Sequence, residues 1–257
     1  MKGFTDIYAS SRGGPLHPNG SWESVYSTGF INEILLEGRK RKHPLVTGEY
    51  YHVFNKSIAD YRIFNGDLQY RRMVCSIRYY QYSNLNYCFS DFLRFKRVER
   101  EGFHKSLHLK RTKYSRLVEV IAYCIMSTHI HLALKQLLDN GISIFMGNIL
   151  NSYARYFNRK HKRFGPLWAG RFQDVIIDSD EQLWHLSKYV HLNPTTAGLI
   201  DKPYNWIYSS YLEYLDVINQ EERISQGEDV MELTPCEYKK FVNDQIDYQR
   251  KRDSLNT

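Results

Sequence analysis

The sequence predicts an α+β fold in which helices cover one face of an antiparallel sheet. Four segments carry the alternating or β-branched pattern of strands, and two segments between them have helical spacing. Their order along the chain is strand, helix, strand, strand, helix, strand. This βαββαβ order is that of a ferredoxin-like sheet, with a further helix predicted after the last strand.

The first strand and the first helix are predicted soon after residue 46. In "TGEYYHVFNKS", residues 47–57, Tyr51 and Val53 alternate with His52, as in a strand that buries one face. The segment "NGDLQYRRMVCSIRYYQYS", residues 65–83, has the spacing of an amphipathic helix. Its predicted apolar positions are Leu68, Met73, Ile77 and Tyr80.

The second and third strands form a predicted hairpin. "RLVEVIAYCIM", residues 116–126, is rich in the β-branched and aromatic side chains that strands favour. Ser127 and Thr128 make a short connection to "HIHLALKQ", residues 129–136. So short a connection predicts that these two strands are antiparallel neighbours.

The second helix and the fourth strand follow in order. "NGISIFMGNILNSYARYFNRKHK", residues 140–162, is the longest helix candidate in the chain. Its predicted apolar side is formed by Ile144, Ile149, Tyr153 and Tyr156. "RFQDVIID", residues 171–178, has the composition of a strand, which completes the sheet.

The last helix of the predicted domain is "SDEQLWHLSKYVHLNP", residues 179–194. Ser179 or Asp180 is its predicted N-cap, and Pro194 is its predicted end. The chain then divides into three predicted parts: a weakly patterned extension at 1–46, the main domain at 47–200, and a partly helical tail at 201–257.

Several broad classes of protein are disfavoured by composition. No run of about 18 apolar residues is present, and the first residues lack the apolar core of a signal peptide, so neither a membrane span nor secretion is expected. The four cysteines are widely spaced and form no CxxC pair, which favours reduced thiols in a cytoplasmic protein. They are Cys75, Cys88, Cys124 and Cys236.

The charge distribution favours a nucleic-acid partner. The net charge is +7, and no acidic residue occurs from Asn140 to Gln173. The basic residues of this acid-free segment are Arg155, Arg159, Lys160, Lys162, Arg163 and Arg171. With 21 tyrosines in the chain, basic and aromatic side chains suit a groove that follows a nucleic-acid backbone and stacks on its bases. The alternative is a solvated basic face above ordinary core tyrosines.

His129 and His131 point to the same face of the third predicted strand, because strand side chains alternate. Two neutral imidazoles side by side form a natural pair of metal ligands. A catalytic metal needs a further ligand and open positions. The alternative is a histidine pair that is hydrogen-bonded or faces the surface.

The last predicted helix offers both a further ligand and a nucleophile. Tyr189 and Asn193 are four residues apart and therefore share one helical face. An amide oxygen is a suitable ligand for Mg²⁺ or Mn²⁺, and a tyrosine hydroxyl can attack a phosphate that such an ion polarises. The alternative is that Tyr189 packs inward while Asn193 caps the helix before Pro194.

Three segments resemble the single-tyrosine HUH transposases, most closely their REP-associated tyrosine transposase-like group. "YYHVFNKSI" is similar to the first strand of that group, and "YCIMSTHIHLAL" to its HUH segment. "FGPLWAGRFQDVIIDSDEQLWHLSKYVHLNPTTAGLI" is similar to an LWxxRF element followed by a tyrosine helix that ends in LNPxxAG. The family usually has Pro-Asn where this chain has Ser127 and Thr128. The resemblance covers about residues 45–211.

The resemblance implies a metal-dependent transposase that cuts single-stranded DNA beside hairpins. It implies His129, His131 and Asn193 as ligands of Mg²⁺ or Mn²⁺, and Tyr189 as the nucleophile that forms a 5′-phosphotyrosine. It places "LWAGRF", with Trp168, on the DNA-binding surface. The expected partner is single-stranded DNA with REP-like hairpins, bound by a monomer or homodimer in the cytoplasm, at the nucleoid.

Two other functions are compatible with parts of the pattern. A domesticated relative of the same fold would bind DNA or RNA as a regulator without cutting it. A two-histidine phosphodiesterase would need two separate H-x-[ST] motifs. The second is disfavoured because residue 131, two after His129, is a histidine and no Ser or Thr stands two after His131.

Overall fold

The computed structural model describes residues 44–111, 114–227 and 233–255 of the chain. The extension predicted at residues 1–46 lies almost wholly outside the described residues, as does the basic cluster from Arg39 to Lys42. The described part contains a four-stranded antiparallel sheet with helices on both faces.

The sheet confirms the predicted strand order. Its strands are β1 (Tyr50–Lys56), β2 (Val118–Ile125), β3 (His129–Gln136) and β4 (Gln173–Ile177). They lie in the spatial order β2-β3-β1-β4, and every neighbouring pair is antiparallel. Together with the two crossing helices, this is the ferredoxin-like arrangement that the βαββαβ order predicts.

Two long helices cover one face of the sheet. Helix α1 (Asp67–Tyr80) follows β1; helices α2 (Phe89–Phe92), α3 (Lys96–Glu101) and α4 (Phe103–Arg111) lie in the connection to β2; and α5 (Gly141–Lys160) follows β3. Met73 of α1 and Phe145 of α5 pack with Val53 and Leu132 of the sheet in one buried cluster. Strands β1 and β3 are therefore supported on this face by a large apolar core.

The opposite face is covered by α6 (Asp180–Thr196) and the chain that follows it. Leu186 and Val190 of α6 pack with Ala133 of β3 and with Val242 of the last helix in a second buried cluster. The later elements are α7 (Tyr211–Tyr214) and α8 (Pro235–Leu255), with 3₁₀ turns at Ile58–Asp60, Pro203–Asn205 and Gln220–Glu222. The tail from residue 201 is thus partly helical, as predicted.

Some predicted apolar positions are wrong. Leu68 of α1 is 72% exposed and Ile144 of α5 is 46% exposed, although both were expected to face the core. The buried side of α5 runs instead through Ile142, Phe145 and Ile149. Helical spacing fixes which residues share a side, but the rotation of a helix on the sheet is set by its neighbours.

Two local backbone features fix where α5 and α6 begin. A Cβ atom on Gly141 would overlap the carbonyl oxygen of Leu117, so only glycine lets α5 start against the hairpin. Ser179 is the N-cap of α6, because its side-chain oxygen accepts a hydrogen bond from the backbone N–H of Gln182 at 3.2 Å.

Pro194 does not end α6, contrary to the prediction. The helix continues to Thr196, and the N–H of Ala197 still donates to the carbonyl of Asn193 at 2.9 Å. Proline has a φ that suits a helix, and near the C-terminus its missing N–H costs one hydrogen bond only. No helix within the described ranges is long and apolar enough to cross a membrane.

Candidate functional site

His131 projects from β3 toward the face that carries α6, as the strand alternation predicts. Its neighbours Ile130 and Leu132 belong to the cluster on the opposite face, under α1 and α5. His129 lies on the same face as His131, and the two ring centroids are 5.0 Å apart. His131 is 3% exposed and lies beneath the tyrosine helix, whereas His129 is only partly buried.

His52 of β1 joins this pair, although no motif singled it out. Its Nε2 atom lies 3.1 Å from Nδ1 of His131, and the two rings stack with centroids 5.3 Å apart. The contact follows from the register of the sheet, in which His52 pairs with Ala133 and Phe54 pairs with His131. His52 and His131 are therefore diagonal neighbours on one face.

Thr128 supplies a similar contact to His129. Its hydroxyl oxygen lies 2.9 Å from Nδ1 of His129. Thr128 occupies the place where the resembling family usually has a polar asparagine, and here a hydroxyl takes up a hydrogen-bonding position next to the ring. Both histidines of the HxH pair thus use Nδ1 for a hydrogen bond within the protein.

Burial keeps these imidazoles neutral. It lowers the pKa of His52 to about 3 and the pKa of His129 to about 4. Burial also lowers the pKa of His131 well below its ordinary value, and the neighbouring His129 and His52 act in the same direction. Neutral rings at physiological pH keep the lone pair that a metal ligand must offer.

Tyr189 lies on α6 directly above the histidines. Its ring centroid is 5.6 Å from that of His131 and 6.0 Å from that of His52, both in edge-on geometry. Burial raises the pKa of the Tyr189 hydroxyl well above its usual range, and a side-chain hydrogen bond with Asn193 acts in the opposite direction. The phenol is accordingly protonated at neutral pH.

Asn193 follows one turn later on α6 and is 8% exposed. Its Nδ2 atom donates to the backbone carbonyl of Tyr189 at 3.0 Å. This bond fixes the carboxamide and leaves its oxygen as the atom that would serve as a ligand. Within the described residues, no set of three His, Cys, Asp or Glu side chains is arranged to hold a metal ion.

The basic residues predicted to contact DNA divide into two groups. The exposed members are Arg155, Arg159 and Lys160 on α5 and Arg171 in the loop before β4. They lie within the acid-free segment, on the solvent side of α5 and on the loop that follows it. Their charges are therefore available to an approaching polyanion.

Arg163 and Trp168 are partly buried and have structural contacts. The guanidinium of Arg163 donates to the carbonyl of Pro166 at 2.7 Å and to the side-chain oxygen of Asn158 at 3.1 Å. The indole N–H of Trp168 donates to the carbonyl of Leu150 at 3.0 Å. Both residues shape the loop after α5, so their predicted role in direct DNA contact stays a prediction.

The resemblance to the IS200-like transposases is confirmed by comparison with known proteins. The family described as "Transposase IS200 like" matches residues 95–193, a range that contains the histidine pair, Tyr189 and Asn193. A protein of Haemophilus influenzae, whose description as a REP-associated tyrosine transposase is itself provisional, is 30% identical over 104 residues. That match covers 36% of this chain and 58% of the relative.

A solved structure is also similar in part. It is described as a REP-associated tyrosine transposase bound to a REP hairpin, and the match covers 74% of this chain and 93% of that chain. The TM-score is 0.45 and the sequence identity is 13%.

Proposed function

We propose that this chain is a single-tyrosine transposase that cuts and rejoins single-stranded DNA beside hairpins. The observation that carries the proposal is the position of Tyr189, whose ring lies 5.6 Å from His131 on the face that also carries His129. The sequence similarity to IS200-like transposases covers these same residues. A tyrosine hydroxyl and neutral imidazoles thus share one face of the sheet.

The donor set fits a divalent metal ion. His129 and His131 engage Nδ1 with Thr128 and His52, so Nε2 of each ring would be the ligating atom. The oxygen of Asn193 would be the further ligand. A set of two imidazoles and one amide oxygen accepts Mn²⁺ or Mg²⁺ and leaves positions for the substrate. When bound, the ion would offset the negative charge that develops on the phosphate.

Tyr189 would supply the nucleophile. Its hydroxyl oxygen forms a bond to the scissile phosphorus, the bond from phosphorus to the 3′ oxygen breaks, and the proton lost by the phenol balances the one gained by the 3′-OH. The product is a 5′-phosphotyrosine and a free 3′ end. Because the covalent link retains the bond energy, a 3′-OH from the same or another strand can reverse the step and rejoin DNA.

The Tyr189 hydroxyl needs activation, because burial raises its pKa. A buried, protonated phenol is a weak nucleophile, so the fold must favour its ionised form at the moment of attack. The hydrogen bond with Asn193 acts in this direction, because it lowers the pKa of the hydroxyl. Asn193 would therefore serve both as a ligand and as a group that helps Tyr189 to ionise.

The substrate is proposed from charge and from the family resemblance. Four exposed basic side chains and the absence of acidic residues from Asn140 to Gln173 suit a polyphosphate backbone. The family resemblance supports hairpin-bearing DNA as the substrate class, and the Haemophilus influenzae relative is likewise described as REP-associated. A regulator that binds without cutting is the competing function.

The experiment that separates these functions is adduct mapping. The full chain is incubated with Mn²⁺ and a pool of hairpin-bearing single-stranded oligonucleotides, and peptides that carry nucleotide are identified by mass spectrometry. We expect the adduct on Tyr189, and we expect both the adduct and the cleavage to vanish in Tyr189→Phe while DNA binding persists.

Tyr153→Phe is the matched control, because Tyr153 is a buried tyrosine on α5 in the other apolar cluster. It should keep the adduct. An adduct on another tyrosine would mean that the nucleophile is misassigned. Binding without any adduct, across the whole substrate pool, would favour the non-catalytic regulator.

A further inference from the structure

Phe164 stands out among the exposed apolar side chains of the described residues. It is 94% exposed, against 72% for Leu68 and 46% for Ile144. A single exposed apolar residue needs no special explanation on an ordinary surface. Phe164 differs because of how its loop is built and which side chains surround it.

The loop that carries Phe164 is held rigidly on both sides of it. Asn158 donates from Nδ2 to the carbonyl of Gly165 at 2.9 Å, and Arg163 donates to the carbonyls of Gly165 and Pro166 at 3.4 and 2.7 Å. Lys162 and Gly165 have positive φ values of 50° and 93°, so the chain turns sharply before and after the ring. The backbone that carries the ring is therefore held in one conformation, so ordering this loop costs little entropy on binding.

The surroundings of the loop are basic. Arg159 and Lys160 end helix α5, Lys162 precedes the ring by two residues, and Arg171 follows it, all of them exposed. No acidic side chain occurs in the sequence from Asn140 to Gln173. An exposed aromatic ring inside a field of positive charge is the combination that binds unpaired nucleic acid, in which bases stack while phosphates pair with cations.

The loop is also tied to the end of the sheet that carries the histidines. The backbone N–H of Ile58 donates to the carbonyl of Leu167 at 2.9 Å, and that of Ala169 donates to the carbonyl of Lys56 at 2.9 Å. Lys56 is the strand partner of His129. Phe164 is four residues from Trp168, which spans at most roughly 14 Å of chain. The ring therefore lies within reach of DNA that is bound at the histidine site.

We propose that Phe164 stacks on an unpaired base of the single-stranded DNA that leads into this site. The inference rests on the proposed function, because it takes single-stranded DNA as the ligand. In this arrangement the loop positions the substrate. The ring fixes one base while the cations hold the phosphates, which sets the register of the strand relative to Tyr189. The competing explanation is that the ring packs against a second copy of the chain.

Base stacking is tested in the full chain carrying Tyr189→Phe, without metal, so that binding is measured apart from cleavage. Hairpin oligonucleotides carry a single 2-aminopurine at successive positions of the unpaired flank, and fluorescence quenching and affinity are recorded. We expect one position to be quenched. Phe164→Ala should abolish that quenching and weaken binding about tenfold, with an unchanged salt dependence because no charge is removed.

Two further variants sharpen the result. Phe164→Trp should keep the quenching, and Phe164→Leu should lose it, because leucine is apolar but has no π-face to stack. Ile144→Ala is the surface control on α5 and should change neither quenching nor affinity. If Phe164→Ala binds and quenches like the parent, or if Phe164→Leu retains both, the stacking role is wrong while the proposed function stands.

Sedimentation of the same proteins tests whether the Phe164 ring packs against a second copy of the chain. If the parent is a dimer that Phe164→Ala converts to a monomer, the ring packs against a second copy and the stacking role is overturned. If no hairpin oligonucleotide binds at all, both the stacking role and the proposed function fail.

Discussion

At the scale of single residues, His52 acts on the candidate site through its neighbour. Its Nε2 atom lies 3.1 Å from Nδ1 of His131, opposite the nitrogen that would bind a metal. If His131 binds metal through Nε2, its Nδ1 carries the proton and donates to His52. Such a partner fixes the tautomer and orientation of a ligand and makes it more basic.

We predict that His52→Ala weakens Mn²⁺ binding roughly ten- to a hundredfold, the usual effect of losing a hydrogen-bond partner of a ligand. Isothermal titration or electron paramagnetic resonance, without DNA, measures this directly. His52→Gln keeps an acceptor for the Nδ1 proton and should recover part of the affinity. Equal Mn²⁺ affinity in the parent and both variants, with unchanged thermal unfolding, would show that His52 does not contribute to metal binding.

At the scale of elements, a buried polar chain joins the tyrosine helix to helix α8. His191 of α6 contacts the hydroxyl of Tyr238 in α8 at 2.6 Å and that of Ser210 at 2.7 Å. The Tyr238 hydroxyl in turn donates to Ser187 of α6 at 3.1 Å. Burial lowers the pKa of His191 to about 3, so the ring is neutral and acts by hydrogen bonding. Helix α8 thus fixes the helix that carries Tyr189.

We predict that Tyr238→Phe lowers the free energy of unfolding by about 1–3 kcal/mol, because it leaves a buried polar atom of His191 without its partner. Urea denaturation followed by circular dichroism measures the loss. Tyr211→Phe is the matched control, since its ring packs beside Tyr238 at 6.3 Å but its hydroxyl lies outside this polar chain. A loss of equal size in both variants would show that ring packing, not the hydrogen bonds, stabilises the contact.

At the scale of the whole molecule, the acid-free segment gives the protein a basic side. We predict that single-stranded DNA affinity falls steeply with salt, with a logarithmic slope of about −0.7 for each phosphate neutralised. Replacing exposed Arg155 and Arg159 by Gln should make that slope shallower by about 1.4. The same change at exposed Lys239 and Lys240 of α8 is the control, and it should leave the slope unaltered. If the salt slope is unchanged by the substitutions at Arg155 and Arg159, these side chains do not neutralise phosphates and the basic side is only a solvated surface.

Residues 1 to about 40 are predicted to be dispensable for folding and for cleavage. The described members of the sheet and of its two apolar clusters all follow residue 44, and the family resemblance starts near residue 45. A protein that starts at Arg41 should keep its thermal unfolding midpoint and its nuclease activity on hairpin DNA. A truncated chain that no longer folds would show that the first segment packs into the core.

The sequence by itself determined the elements, their order and which residues of the candidate site share a strand face or a helix side. Strand alternation put His129 and His131 on one face, and helical spacing put Tyr189 and Asn193 on one side of a helix. These properties are local, because the backbone conformation of a short segment sets where its successive side chains point. The four strands and both crossing helices were predictable for the same reason.

Only the tertiary structure decided which side chains meet across elements. His52 reaches His131 because β1 and β3 pair in one particular register, and a shift of one residue would turn His52 to the other face. Likewise, the rotation of α5 on the sheet exposes Ile144, and the guanidinium of Arg163 reaches the carbonyl of Pro166 in the loop after α5. Register, helix rotation and loop closure depend on contacts between residues far apart in the chain, and no local pattern in the sequence encodes them.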